Sequence, residues 1–248
     1  MNGYQAFAAF YDRLTTDVEY ASRATYLLDL FQCHVGKVPA SLLDVGCGSG
    51  SLAVELAGRG IDMIGADLSE DMLAIATEKA AEQGRDILFL CQDMRELDLY
   101  GTVEGAVCTL DSLNHLLRTA DLEAVFQRLR LFIEPGGLFI FDVNTPYKHR
   151  VILENHAFVL EEDGCFCVWR NRLISRTCEV EMLLDFFVEV GTGYERLTDS
   201  VRERAYSRRT LERMLMQNGF SVEGVYQDMT DHEPGESCER WVFVTRRL

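Results

Sequence analysis

The sequence predicts an α/β fold: a mostly parallel sheet of seven strands with helices on both faces, plus a small antiparallel sheet inserted late in the chain. Three observations predict it. Between residues 41 and 144, short apolar runs alternate with longer amphipathic stretches, a pattern that implies parallel strands joined by right-handed helical crossovers. From about 147 to 206 the helical period disappears and strand-like runs follow one another across short turns. The last forty residues restore one helix and add two strands.

Each element has a local reason. In the first forty residues Phe7, Phe10, Tyr11 and Leu14 recur at spacings of three and four, and Tyr26, Leu27, Leu30 and Phe31 repeat the pattern, so this part reads as helical. SLLDVG (41–46) is a short buried strand running into a turn. SGSLAVELAGRG (49–60) fits a helix closed by glycine. IDMIGAD (61–67) is a second strand, and Ser69 caps the helix EDMLAIATEKAAEQG that follows. DILFLCQD (86–93) and GAVCTLD (105–111) are the third and fourth strands. DLEAVFQRLRLFI (121–133) is an amphipathic helix opened by Asp121 and stopped at Pro135, and GGLFIFDVN (136–144) is the fifth strand. The turns EDG and ISRT separate strands of the inserted sheet. SRRTLERMLMQNGF (207–220) is a helix ending at Gly219, and SVEGVYQDM and ERWVFVTRR close the chain as a strand pair around the loop TDHEPGES. The arrangement is Rossmann-like.

Composition limits the function classes. A chain of 248 residues can bury a full core, and it contains no run of about eighteen apolar residues that would span a membrane. The N-terminus lacks a basic region and carries Asp12 early, so the expected location is the cytoplasm. A formal charge of −16 repels polyanions. The one basic cluster, Arg202, Arg204, Arg208, Arg209 and Arg213, is interrupted by Glu203 and Glu212 and reads as a solvated face, so nucleic acid is disfavoured as a partner. Eight cysteines show no CxxC pair and no histidine at ligand spacing, so no metal is expected. Cys165 and Cys167 face one side of a strand and read as partly buried thiols.

The informative segment is LLDVGCGSG (42–50), with glycines at 46, 48 and 50 where the first strand turns into the first helix. Open α/β sheets bind ligands at that edge. Glycine lets the backbone approach a ligand, and the helix N-terminus offers amide donors. The spacing is GxGxG, with Ser51 where the dinucleotide fingerprint wants a third small residue. Asp67 ends the second strand, where a carboxylate can accept both hydroxyls of a ribose, and Asp93 ends the third beside Met94. Asp44, Asp67 and Asp93 should therefore line one crevice. Each could instead be an ordinary cap or turn residue. Together, beside GxGxG, they form an acidic cleft that suits a cationic cofactor and opposes a pyrophosphate.

LLDVGCGSG, GADLSEDML, CQDM and PGGLFIFDVNTP resemble the class I S-adenosylmethionine (SAM)-dependent methyltransferase family over roughly residues 40–145. The inserted β region and DSLNHL resemble a bacterial subgroup that acts on small molecules. The resemblance implies SAM as cofactor and a small-molecule acceptor. It implies a methyltransferase domain of residues 1–146 and 207–248, with 1–40 as a helical lid, and an inserted subdomain, 147–206, that walls the acceptor site. Gly46, Cys47 and Gly48 would place backbone beside the methionine part of SAM, and Asp44 would lie near its ammonium. Asp67 would bind the ribose, with Leu68 packing on the adenine. Asp93 would accept from the adenine amino group, with the Met94 amide nearby. Leu110 and Asp111 would lie next to the sulfonium. Tyr11 would be a lid contact, whereas Tyr20 reads as a packing residue.

The candidate proton acceptors are His115, Asp111, Tyr147 and His149, each of which also reads as a packing or loop residue. Of the aromatics Phe158, Phe166, Trp169, Phe186 and Phe187, only some can face an acceptor. Other functions stay open at this point: an RNA or protein methyltransferase, an NAD-dependent oxidoreductase, and a SAM-binding protein without turnover. Oligomeric state has no signature.

Overall fold

A computed structural model describes residues 18–162 and 164–248. The first helix, α1 (Tyr20–Val35), ends at Gly36 in the left-handed conformation. Its apolar spacing has a physical target: Leu27, Leu30 and Phe31 bury against Leu42, Leu56, Met63 and Ile140. Tyr4 and Tyr11 lie outside the described residues.

The alternating region folds as β1 (Ser41–Val45), α2 (Ser51–Gly58), β2 (Asp62–Asp67), α3 (Glu70–Glu82), β3 (Leu88–Cys91), β4 (Val103–Cys108), α4 (Thr119–Phe132) and β5 (Ile133–Asn144). Four strands follow: β6 (Ala157–Glu162), β7 (Cys165–Ile174), β8 (Glu179–Val190) and β9 (Gly193–Arg204). Helix α5 (Arg208–Gln217) and strands β10 (Phe220–Gln227) and β11 (Arg240–Arg247) complete the chain.

The main sheet has seven strands in the order β10-β11-β5-β4-β1-β2-β3. β1 to β5 run parallel, and β11 inserts antiparallel beside β5. The order reverses between β1 and β4, which places the switch point beside the glycine turn. Strands β6 to β9 form a separate antiparallel sheet. Both sheets match the sequence expectation.

Three boundaries differ. Helix α4 begins at Thr119, with Arg118 at the capping position, so Asp121 is not its cap. It sits instead in the first turn, where an acid still complements the helix dipole. That helix stops at Phe132, before Pro135, because Ile133 already pairs with Val103 and residues 134–137 bulge out before Leu138 resumes the register against Gly105. The fourth strand ends at Cys108, since Leu110 and Asp111 both adopt positive φ. The cap expected at Ser69 holds, since its side chain accepts from Met72 N, and Ser207, not singled out in the sequence, caps α5 by accepting from Thr210 N.

The four-stranded sheet has two distinct faces. Cys165, Cys167, Trp169, Leu184 and Phe186 share the apolar side. Phe166 pairs with Phe187 on the other, beside the ion pairs Arg170–Asp185, Arg196–Asp185 and Arg172–Glu181. A π-helical turn, Lys148–Leu153, joins the two sheets. The basic cluster disperses, with Arg202 pairing with Glu179 and Arg208 with Glu212.

Candidate functional site

The C-terminal ends of β1 and β4 border a small cavity of about 30 Å³, lined by Tyr20, Asp44, Gly46, Cys47, Gly48, Thr109, Leu110 and Ser112, among others. Backbone hydrogen bonds shape its floor. Gly46 N and Cys47 N both donate to Ala66 O, at 2.8 and 3.1 Å, and Gly50 N donates to Cys47 O at 2.9 Å. The three glycines serve different needs. Gly46 (φ +72°) could not carry a Cβ, which would stand 2.8 Å from Ser112 Oγ. A Cβ at Gly50 would stand 2.7 Å from the Ala76 Cβ, so Gly50, rather than residue 51, permits the close approach of α2 and α3. Gly48 (φ +53°) has nothing within 4 Å of that position, leaving bare backbone at the cavity wall.

Asp44 is 2% exposed and lines this cavity, and among the described residues its Oδ2 has no hydrogen-bond partner. Burial, with a smaller push from Asp67, raises its carboxyl pKa to about 7. Leaving a buried carboxylate oxygen unsatisfied is costly, and a cationic ligand group removes that cost. Asp67 is already part of the turn: its Oδ2 accepts from Gly48 N at 2.8 Å and its Oδ1 from Ser69 N at 2.9 Å. Each oxygen keeps one lone pair. Burial, reinforced by Asp44 and Asp67, pushes the Cys47 thiol far up, so this cysteine stays protonated beside the cavity.

Of the remaining predicted cofactor residues, Leu110 lines this cavity, whereas Leu68, Asp93 and Met94 follow β2 and β3 outside its lining. Met94 reaches toward Gly46, and Leu68, just past β2, is 68% exposed, an apolar surface with little packed on it. Asp93 follows β3 with its carboxylate held by Arg95 Nε at 2.9 and 3.1 Å. The Arg95 hydrogen bond is the main reason that its carboxyl lies below the usual range. Tyr11 lies outside the described residues. Tyr20 both packs in the helical layer and lines the cavity, which exceeds the packing role expected of it.

The proton-acceptor candidates separate clearly. Asp111 is engaged at both oxygens: its Oδ1 accepts from Arg240 at 2.7 Å and its Oδ2 from Asn144 Nδ2 at 3.0 Å. Burial alone would raise its pKa, but Arg240, Lys148 and His115 together hold it below the ordinary carboxylate range. His149 is completely buried, with Nδ1 3.0 Å from Cys178 O and Nε2 3.5 Å from Glu203, so it ties the π-helical turn to the four-stranded sheet. His115 is exposed at the end of a 3-10 turn (Ser112–His115), and Tyr147 is half-buried just past β5.

Sequence reasoning missed a cluster at the ends of β5, β10 and β11. Asp142 accepts from Leu110 N at 2.9 Å and Asp111 N at 2.8 Å. Arg240 pairs with Asp142 and Asp111, and Arg23 from α1 pairs with Asp142 at 3.4 Å and with both oxygens of Asp228 at 3.1 Å. Asp142 had a readable signal, being one more acid near a strand end in FIFDVN. The two arginines had none. Among the described residues no group of three or more metal-ligating side chains comes together, and none of the eight cysteines is in a disulfide.

The chain is similar to known proteins over its whole length. A family described as a methyltransferase domain matches residues 42–137. A protein of Geobacillus sp. (strain WCH70), provisionally named a methyltransferase, is 34% identical over 98% of this chain and 99% of its own length. A dTDP-3-amino-3,6-dideoxy-alpha-D-glucopyranose N,N-dimethyltransferase of Streptomyces fradiae is 33% identical over 83% of this chain and 79% of that protein. The crystal structure of an S-adenosylmethionine-dependent methyltransferase from Clostridium acetobutylicum ATCC 824 superposes with a TM-score of 0.89 at 28% identity, covering 99% of both chains.

Proposed function

The chain belongs to the class I SAM-dependent methyltransferases, and on that premise we propose that it methylates a small polar molecule whose acceptor atom enters between the glycine turn and the four-stranded sheet. SAM is the cofactor and supplies a methyl group on a sulfonium, a leaving group that needs no further activation. The observation that carries the reading is Asp44 Oδ2, a buried carboxylate oxygen without a partner among the described residues, in a cavity walled by bare glycine backbone. It suits the α-ammonium of SAM.

The chain's own tasks follow. Asp44 neutralises the ammonium while Gly46, Cys47 and Gly48 let backbone approach the methionine part. Asp67 offers its remaining lone pairs to the ribose hydroxyls, and exposed Leu68 covers one adenine face. Asp93 and the Met94 amide meet the adenine edge, with Arg95 sharing the Asp93 carboxylate. Leu110 lines the cavity on the side of the transferred group. With the donor so oriented, catalysis rests mainly on alignment and exclusion of water. Where an acceptor must lose a proton, exposed His115 is placed to take it and Tyr147 is the second candidate. Asp111 serves as an anchor.

The amino-sugar relative acts on the amine of a nucleotide-linked sugar, which supports an amine or hydroxyl acceptor on a small polar molecule. The apolar face of the four-stranded sheet adjoins the site, since Glu203 on that face accepts from Asn144 Nδ2 at 2.9 Å, and it is proposed as the acceptor wall of residues 147–206. Eight cysteines outside any disulfide favour a reducing compartment, the cytoplasm. Calorimetry with SAM, S-adenosylhomocysteine (SAH) and NAD tests the cofactor, and labelled SAM with a metabolite panel, read by mass spectrometry, identifies the acceptor. Tight NAD binding without SAM binding would end this reading.

A further inference from the structure

We infer that Asp142 is a positioning residue for methyl transfer: it holds the Leu110–Asp111 backbone beside the glycine turn in a conformation these two residues would not keep alone. The inference rests on the reading that SAM occupies the cavity this backbone lines.

Leu110 and Asp111 have φ of +54° and +57°. Consecutive non-glycine residues in the left-handed region are rare, because the Cβ crowds the following carbonyl. Aspartate tolerates that region through its short polar side chain, but leucine has no such compensation. The restraint comes from outside the loop. Each oxygen of Asp142 takes one of the two amides, Oδ2 from Leu110 N and Oδ1 from Asp111 N. The Asp142 side chain is 1% exposed, and Arg240 and Arg23 balance its charge. Arg240 also grips the Asp111 carboxylate, so residue 111 is fixed at backbone and side chain together.

The held segment faces the cavity. Leu110 lines it, and Ser112, two residues on, donates to Thr109 O at 2.9 Å and packs where a Gly46 Cβ would stand. A shift of this loop therefore reaches the cofactor wall directly. A largely desolvated set of three carboxylates and two guanidiniums, with Asp142 fully buried at its centre, is a costly way merely to hold a fold together. Strained backbone persists where its surroundings over-determine it, which is commonest at functional sites. The geometry here supplies both the strain and the restraint.

The test is Asp142→Asn, measured by calorimetry with SAM and with SAH and by thermal melting. An asparagine has one acceptor oxygen, and its amide opposes one of the two backbone donors. SAM and SAH differ by the methyl group and its charge, the part nearest this loop. The expected result is a loss of about tenfold in SAM affinity with SAH affinity changed by less than about threefold and a cooperative melt retained. Unchanged affinities, or equal losses for both ligands, would overturn the inference and leave Asp142 a structural residue. Should the variant fail to fold, the wild-type amides decide: exchange protection of Leu110 and Asp111 by ¹⁵N NMR supports the restraint, and rapid exchange refutes it. Failure of the wild type to bind SAM is a different result, and counts against the proposed function itself.

Discussion

Asp44 is a buried acid whose charge the fold itself disfavours, which makes it sensitive to both pH and a cationic partner. Its raised pKa means that the folded chain holds the Asp44 proton more tightly than the unfolded chain does. The linkage therefore runs opposite to that of a salt-bridged carboxylate: Asp44 contributes stability at low pH and loses it as pH rises from about 4 to about 7. On the proposed reading SAM pairs with the ionised form, so its binding should tighten across pH 6 to 8 and release a proton, which calorimetry in buffers of different ionisation enthalpy reads directly. Asp44→Asn should melt no lower than wild type at pH 8 while losing roughly ten- to hundredfold in SAM affinity, the worth of a charged hydrogen bond. A lower melting temperature with intact binding would remove Asp44 from the site. Asp67→Ala should weaken SAM by about 1–3 kcal/mol, and the two amides that Asp67 restrains make Asp67→Asn the milder variant. The sequence showed both acids by their places at strand ends. It could not show that Asp44 Oδ2 has no partner among the described residues or that Asp111 is held at both oxygens, because both facts depend on residues from distant strands.

The glycine turn separates local information from tertiary information at the scale of an element. Three glycines in nine residues were legible as a tight strand-to-helix turn. Their division of labour was not, because the neighbours Ser112, Ala76 and Phe89 belong to other elements. Two substitutions separate the roles. Gly50→Ala forces a positive φ on alanine and drives a Cβ into Ala76, so it should destabilise the fold by about 2–4 kcal/mol, strain and overpacking together. Gly48→Ala meets open space among the described residues and should cost only about 1–2 kcal/mol of stability; on the proposed reading its methyl enters the cofactor wall, so its loss of SAM affinity should exceed its loss of stability. Melting and calorimetry on both variants check this pair, and equal profiles would show that Gly48 does not border the ligand. The cap at Ser69 was readable because its partner lies three residues away, whereas Asp121 was mistaken for a helix start that lies at Thr119. The early end of the fourth strand was not readable, since it depends on Asp142, more than thirty residues on.

At the scale of the whole molecule, the two sheets meet through buried polar groups that sequence cannot pair. Asn114 is fully buried and donates to Asn144 O at 3.2 Å and Arg204 O at 2.9 Å, so one amide joins the 3-10 turn, β5 and the end of β9. The strand alternation made both sheets predictable, but only such contacts decide which face of the four-stranded sheet points to the main domain. Glu203 and Trp169 lie on the face that adjoins the β5 terminus, and Phe187 lies on the opposite one. The sequence set of five aromatics therefore divides, with Phe158, Trp169 and Phe186 on the inner side and Phe166 and Phe187 outside. Once an acceptor is identified, Trp169→Ala should lower kcat/KM for it by about tenfold or more, roughly 1.4 kcal/mol in the transition state, and leave SAM affinity within a factor of about two, well under 1 kcal/mol. Phe187→Ala, truncating a half-buried ring on the outer face, should change neither. If both variants weaken SAM and turnover alike, the sheet supports the fold without walling the acceptor. A loss confined to Trp169 and to the acceptor would tie specificity to the inner face, where the main domain supplies the donor and the four-stranded sheet selects what receives the methyl group.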